Sequence, residues 1–197
     1  SGKRRWGFFL LQKDLLIIPA IVYNDHKDIS PYLGVRHIAG ILKWEAYAKA
    51  RYIAKRVEEE KVRHGTIEKS IAEVQKKVGD RSDVIKRQYM FYKIIEQAER
   101  ELDFDMRAVM QRFSLVGEAI NSSSIRDYVG VHSYKDADFD KPFVPKSKLE
   151  NLERLLIWIF GNGKEKVPVL TDSRRIKSHL APVLADKEAT DYLIKTN

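Results

Sequence analysis

Residues 66–102, TIEKSIAEVQKKVGDRSDVIKRQYMFYKIIEQAEREL, constrain the fold of this chain most, because they predict two helices joined by a tight turn. In the first half, apolar residues recur at intervals of four, three and four and so share one helical face; they are Ile67, Ile71, Val74 and Val78. Thr66 can cap the start of this helix, and Gly79 can adopt the left-handed conformation that ends one. Two helices around so short a turn are typical of a helix-turn-helix.

The second helix of this unit is predicted to start at about Asp83, with Ser82 or Asp80 as its cap. Its inward face is predicted to comprise Ile85, Tyr89 and Tyr92. Its outward face is predicted to comprise Asp83, Lys86, Arg87 and Met90.

In a helix-turn-helix, residues near the start of the second helix enter the major groove. The candidate DNA contacts are therefore Arg81, Ser82, Lys86 and Arg87. Two neighbouring helices of an ordinary bundle have the same periodicity, so spacing alone leaves both interpretations open.

The charge of the chain favours an anionic partner. Its 197 residues include 36 Lys and Arg against 28 Asp and Glu, a net charge of +8. Residues 1–64 hold thirteen basic and seven acidic residues, whereas residues 65–102 hold eight and seven. Basic surface binds nucleic acid by releasing condensed counterions. Composition therefore favours nucleic acid as the partner without naming it, and the predicted helix-turn-helix makes double-stranded DNA the expected partner.

Several kinds of chemistry lack the residues that they need. The chain contains no cysteine, which excludes disulfides, thiolate catalysis and cysteine metal sites and is typical of a reducing cytoplasm. Its five histidines do not occur in pairs at helical spacing with a carboxylate. The longest apolar run, residues 15–22, is too short to cross a bilayer. We therefore predict a cytoplasmic protein with no membrane partner, no catalytic residues, no metal and no cofactor.

The rest of the sequence predicts a mainly α-helical chain, with a strand-like run only near the N-terminus, at residues 15–23. A long helix is predicted over residues 43–63, just before the helix-turn-helix. Residues 132–145 are rich in Asp, Lys, Pro and aromatic residues without a period, which predicts a linker or a surface loop. Three parts are predicted: a strand-containing N-terminal remnant at 1–40, a helical helix-turn-helix domain at 41–131 and a C-terminal helical cap at 146–197.

Several stretches resemble the ParB-like proteins, in which a ParB/sulfiredoxin-type domain precedes a helical DNA-binding domain. GKRRWGFFLL is similar to the end of the Gly-x-Arg-Arg box of that first domain. KWEAYAKARYIAKRV and GDRSDVIKRQYMFYKIIEQA resemble the connecting helix and the helix-turn-helix. The later stretches FSLVGEAINSSSIRDYVGV, LIWIFGNG and TDSRRIKSHLAPVL resemble the tail of larger, non-partition members.

The resemblance implies that residues 1–40 are the end of a ParB/sulfiredoxin-like domain, most of which would precede Ser1. It implies that Arg4 and Arg5 bind phosphate. It also implies that DNA is read by the four residues at the turn and the start of the second helix, namely Arg81, Ser82, Lys86 and Arg87.

Three functions remain open from the sequence. The first is DNA binding through the helix-turn-helix. The second is the C-terminal part of a nucleotide-dependent or DNA-cleaving enzyme whose active centre lies upstream or in a partner. The third is a helical interaction module that binds another protein or a second copy of itself, with the Leu-rich helix after Ser147 as its docking face.

Overall fold

The computed structural model describes residues 45–102, 104–163, 166–170 and 172–196. These residues are mainly helical, and they contain no strand. Their helices are α1 (Ala46–His64), α2 (Ile67–Val78), α3 (Val84–Leu102), α4 (Arg107–Gln111), α5 (Ser114–Ile120), α6 (Ser123–Val129), α7 (Leu149–Phe160), α8 (Ala181–Ala185) and α9 (Lys187–Thr196). A 3₁₀ turn, Lys146–Lys148, precedes α7, and a π-helical segment, Ile176–Leu180, precedes α8. The predicted remnant at 1–40, with its strand-like run, Arg4 and Arg5, lies outside the described residues.

Helix α1 is the surface on which the next two helices pack. Its buried residues recur at helical intervals and are Ala50, Ile53, Ala54 and Val57. Helices α2 and α3 both pack extensively against α1 and have fewer contacts with one another. Gly65, with φ of +79°, ends α1 and turns the chain into α2. The long helix predicted before the turn is confirmed, apart from small differences at its ends.

Helix α2 has both of its predicted ends. The Thr66 hydroxyl accepts a hydrogen bond from the backbone N–H of Lys69 at 3.4 Å, which satisfies one of the free donors of the first turn. At the other end, Gly79 has φ of +69° and ψ of 27°, the left-handed conformation. The four residues predicted for the inward face, Ile67, Ile71, Val74 and Val78, are all buried.

Helix α3 is buried on more than one side because it contacts α1, α5 and α7. Its buried residues are Ile85, Tyr89, Met90, Phe91, Ile94, Ile95, Gln97 and Ala98. The prediction that Met90 faces outward is wrong, since only 1% of Met90 is exposed. A single apolar stripe describes a helix with one covered face, whereas α3 has packing partners on several. Tyr89 also donates a hydrogen bond from its hydroxyl to the Glu58 carboxylate of α1 at 2.8 Å.

Residues 132–145 form a non-helical segment with turns at 134–136 and 139–140, here called the strap, which contacts α1, α2 and α3. Four of its side chains are buried, which are Ala137, Phe139, Phe143 and Val144. The Gln97 side chain of α3 donates to the Val144 carbonyl at 2.8 Å and accepts from the Val144 N–H at 3.2 Å. Asp140 accepts from the Ile67 N–H at 3.3 Å and pairs with Lys61 at 3.5 Å. The strap is thus a firmly bound surface segment and does not hang free as a linker.

The C-terminal helices share a core with the helices before the strap. Helix α7 packs on α3 and α6, and α8 packs on α6. The apolar face of α7, which comprises Leu152, Leu155, Leu156, Trp158, Ile159 and Phe160, is buried in that core. It is therefore occupied and does not offer the docking face considered from the sequence. Within the described ranges, none of the helices has the length and apolar character that a bilayer crossing requires.

Candidate nucleic-acid interface

The turn between α2 and α3 is fixed by backbone hydrogen bonds. The N–H of Gly79 donates to the Lys76 carbonyl at 3.4 Å, and the N–H of Asp80 donates to the Gln75 carbonyl at 2.9 Å. These two bonds form a Schellman motif around a left-handed glycine. They satisfy carbonyls at the end of α2 that would otherwise have no partner. The chain therefore leaves α2 in a defined direction.

Asp80 caps the start of α3. Its carboxylate accepts hydrogen bonds from the N–H of Ile85 at 2.9 Å, the N–H of Ser82 at 3.0 Å and the Ser82 hydroxyl at 3.2 Å. Partial burial acts to raise the pKa of Asp80, but these hydrogen bonds to the charged form outweigh burial and hold that pKa below its ordinary value. Of the two caps considered from the sequence, Asp80 is the residue that accepts the helix donor.

A side-chain hydrogen bond joins the two helices across the turn. The Gln75 amide donates to the Asp83 carboxylate at 3.1 Å. Asp83 has φ of +56°, a conformation that few residues other than glycine adopt and that aspartate tolerates better than most. In a helix-turn-helix a small residue often lies four positions before the glycine of the turn, and this chain has Gln75 there. Here the longer side chain is accommodated because it reaches the start of α3.

The turn leaves basic groups in solvent. Arg81 and Ser82 are both exposed, immediately before the first turn of α3. Lys69 and Lys76 are exposed on α2, seven residues apart and so on one face of that helix. Among the described residues, no ion pair with an acid is recorded for either lysine or for Arg81. Lys69, Lys76 and Arg81 are therefore exposed cations that form no ion pair with the described residues.

Lys86 and Arg87, the other two predicted contacts, are half-buried. The Lys86 ammonium lies 4.9 Å from the centre of the Phe139 ring and 3.6 Å from the Glu68 carboxylate. The Arg87 guanidinium lies 5.7 Å from the centre of the Tyr134 ring and donates to the Ser82 carbonyl at 3.0 Å. Arg87 thus contacts Ser82 directly, and Lys86 and Arg87 each lie against an aromatic ring of the strap.

The contribution of the strap was not predicted from the sequence. Phe139 is buried against the Tyr89 and Phe143 rings, at centroid distances of 6.1 and 5.2 Å. Only one sequence signal could have suggested that this segment is anchored to the core. It is the presence of three aromatic residues, Tyr134, Phe139 and Phe143, in an otherwise polar stretch. Their partner is far away in the sequence, and so local pattern could not identify α3 as the surface that they cover.

The part of the chain that the structure describes holds no group of three or more His, Asp or Glu side chains arranged to bind a metal ion. The chain matches no protein-family model, and it matches neither the curated proteins nor the solved structures with which it was compared.

Proposed function

We propose that this chain binds double-stranded DNA through the α2–turn–α3 unit. The observation that carries the proposal is the exposed pair Arg81 and Ser82, placed directly before the capped N-terminus of α3. In a helix-turn-helix only the first residues of the second helix approach base edges. The deep burial of the rest of α3 is therefore compatible with this mode of binding.

The charge around the turn supports the same proposal. Lys69 and Lys76 lie on the exposed face of α2 and Arg81 lies in the turn, where each can bind a backbone phosphate. Phosphate contacts position a protein on the duplex and give its affinity a strong salt dependence. In this proposal, Arg87 adds a further contact, and Lys86 acts mainly in holding α3 to the strap through Phe139 and to α2 through Glu68.

The ParB-like resemblance of the sequence adds to this proposal. It concerns the same turn and the same four residues, and it implies that a nucleotide- or phosphate-binding domain precedes them. The enzyme and interaction-module alternatives gain no specific observation from the described residues.

The test is to titrate the protein into a fluorescently labelled DNA duplex of mixed sequence. Binding is measured by fluorescence anisotropy at several salt concentrations. Replacing Arg81 by Ala should weaken binding about threefold to tenfold and reduce the slope of log K against log salt by about 0.9, the value for one phosphate contact. Lys195→Ala, at an exposed lysine of α9 near the other end of the described chain, is the matched control and should leave the slope unchanged. Equal effects of the two substitutions would reject the turn as the interface.

A further inference from the structure

The Tyr134 ring of the strap contacts two cations. The Arg87 guanidinium of α3 lies 5.7 Å from the ring centre, and the Lys135 ammonium of the strap lies 6.0 Å from it. Tyr134 is half-buried and packs against the core, so the position of the ring is fixed by the fold. The ring therefore lies within about 6 Å of two positive groups that belong to separate elements, α3 and the strap.

These two cations retain hydrogen-bond donors for a ligand. Arg87 has five N–H donors, and its recorded hydrogen bond to the Ser82 carbonyl uses one nitrogen of the guanidinium. Lys135 is exposed, and no ion pair is recorded for it within the described ranges. An aromatic ring attracts cations through its face without neutralising their charge. The pair thus differs from Lys141 of the same strap, which is bound to Asp138 at 2.8 Å.

We propose that Tyr134 assembles Arg87 and Lys135 into a phosphate-binding patch, so that the strap adds a contact to the DNA interface. This inference rests on the proposed DNA binding and extends it beyond the two helices. The ligand is a phosphate of the DNA backbone, because two cations on one ring offer charge and several donors but no means of reading a base. Tyr134 is a positioning residue that acts through the two cations.

The first part of the test compares two lysines of the strap in the same DNA titration. Lys135→Ala should weaken binding about threefold to tenfold and lower the salt slope by about 0.9. Lys141→Ala removes another exposed charge of the strap, one that is already paired with Asp138, and should change the slope much less. Equal slopes for the two variants would overturn the proposal.

The second part tests the positioning role by a double-mutant cycle. Tyr134→Leu should weaken DNA binding of the otherwise unchanged chain about threefold, whereas Tyr134→Phe, which keeps the ring, should bind normally. In a chain that already carries Arg87→Ala and Lys135→Ala, the Leu substitution should have no further effect. A purely structural role for Tyr134 would weaken binding equally in both backgrounds and would overturn the proposal.

Failure of this inference is distinguishable from failure of the proposed function. If the unchanged chain shows no salt-dependent DNA binding, the proposed function is wrong and the patch has no such ligand. If the chain binds DNA and Arg81→Ala weakens binding, but Lys135→Ala and Tyr134→Leu have no effect, only the patch is rejected. Phe139 is unsuited to this test because its ring is buried in the core, and its loss would destabilise the fold.

Discussion

Replacing Asp80 by Ala should destabilise the protein through the turn alone. The carboxylate accepts hydrogen bonds from two backbone N–H groups and one hydroxyl, and alanine can accept none of them. Loss of a helix cap of this kind costs about 1–2 kcal/mol. For a chain of this size, that free energy corresponds to a fall of about 2–8 °C in the melting temperature, measured by circular dichroism.

The effect should depend on pH, and the depressed pKa of Asp80 fixes the direction. The folded protein favours the charged carboxylate, so its contribution to stability is complete above the ordinary pKa of 3.8 and is lost as the pH falls through the lower pKa of the folded state. The difference in melting temperature between the unchanged chain and Asp80→Ala should therefore narrow below about pH 4. Asp80→Asn, which keeps one acceptor oxygen without a titrating group, should be intermediate and less dependent on pH.

The matched control is Asp191→Ala, at an exposed carboxylate of α9, which should change the free energy of unfolding by less than about 0.5 kcal/mol. Two results would refute this reasoning. One is a melting temperature for Asp80→Ala equal to that of the control at neutral pH. The other is a destabilisation that stays constant into the acid range, since it would show that the charged carboxylate is not what stabilises the turn.

Two further substitutions test the turn and the strap. Gly79→Ala should lower the free energy of unfolding, measured with a chemical denaturant, by about 1 kcal/mol. A new Cβ would meet nothing within 4 Å, so the cost comes from the left-handed backbone alone. An unchanged denaturation midpoint would contradict this backbone cost. Gln97→Leu should cost about 2–4 kcal/mol, because it keeps the side-chain volume but leaves the buried N–H and C=O of Val144 without their partner. Hydrogen exchange of the Val144 amide should accelerate in that variant, and unchanged protection would contradict the assigned contact.

The first three helices could be predicted from the sequence because the signals that define them are local. The spacing of Ile67 and Ile71, the cap at Thr66 and the glycine at position 79 each act within a few residues, and the structure has all of them. Apolar residues spaced three or four positions apart lie on the same face of a helix, and this holds whatever the helix packs against.

The exposure of α3 and the role of the strap could not be predicted in the same way. Met90 is buried because α3 has neighbours on several sides, and those neighbours are far away in the sequence. Tyr134 contacts Arg87 across more than forty positions of the chain. The DNA contacts named from the sequence remain a prediction, whereas the strap contacts of Lys86 and Arg87 depend on tertiary packing that local sequence does not encode.

The pairing of Gln97 with Val144 also affects the order in which the chain folds. These residues are 47 positions apart, and their contact closes a loop that contains α4, α5 and α6. Closing such a loop costs about 3 kcal/mol of chain entropy before the contact is gained, whereas α1, α2 and α3 meet through shorter separations and can form earlier. The strap should therefore dock late. A partly folded chain would present the turn but lack the contacts that the strap makes with Lys86 and Arg87.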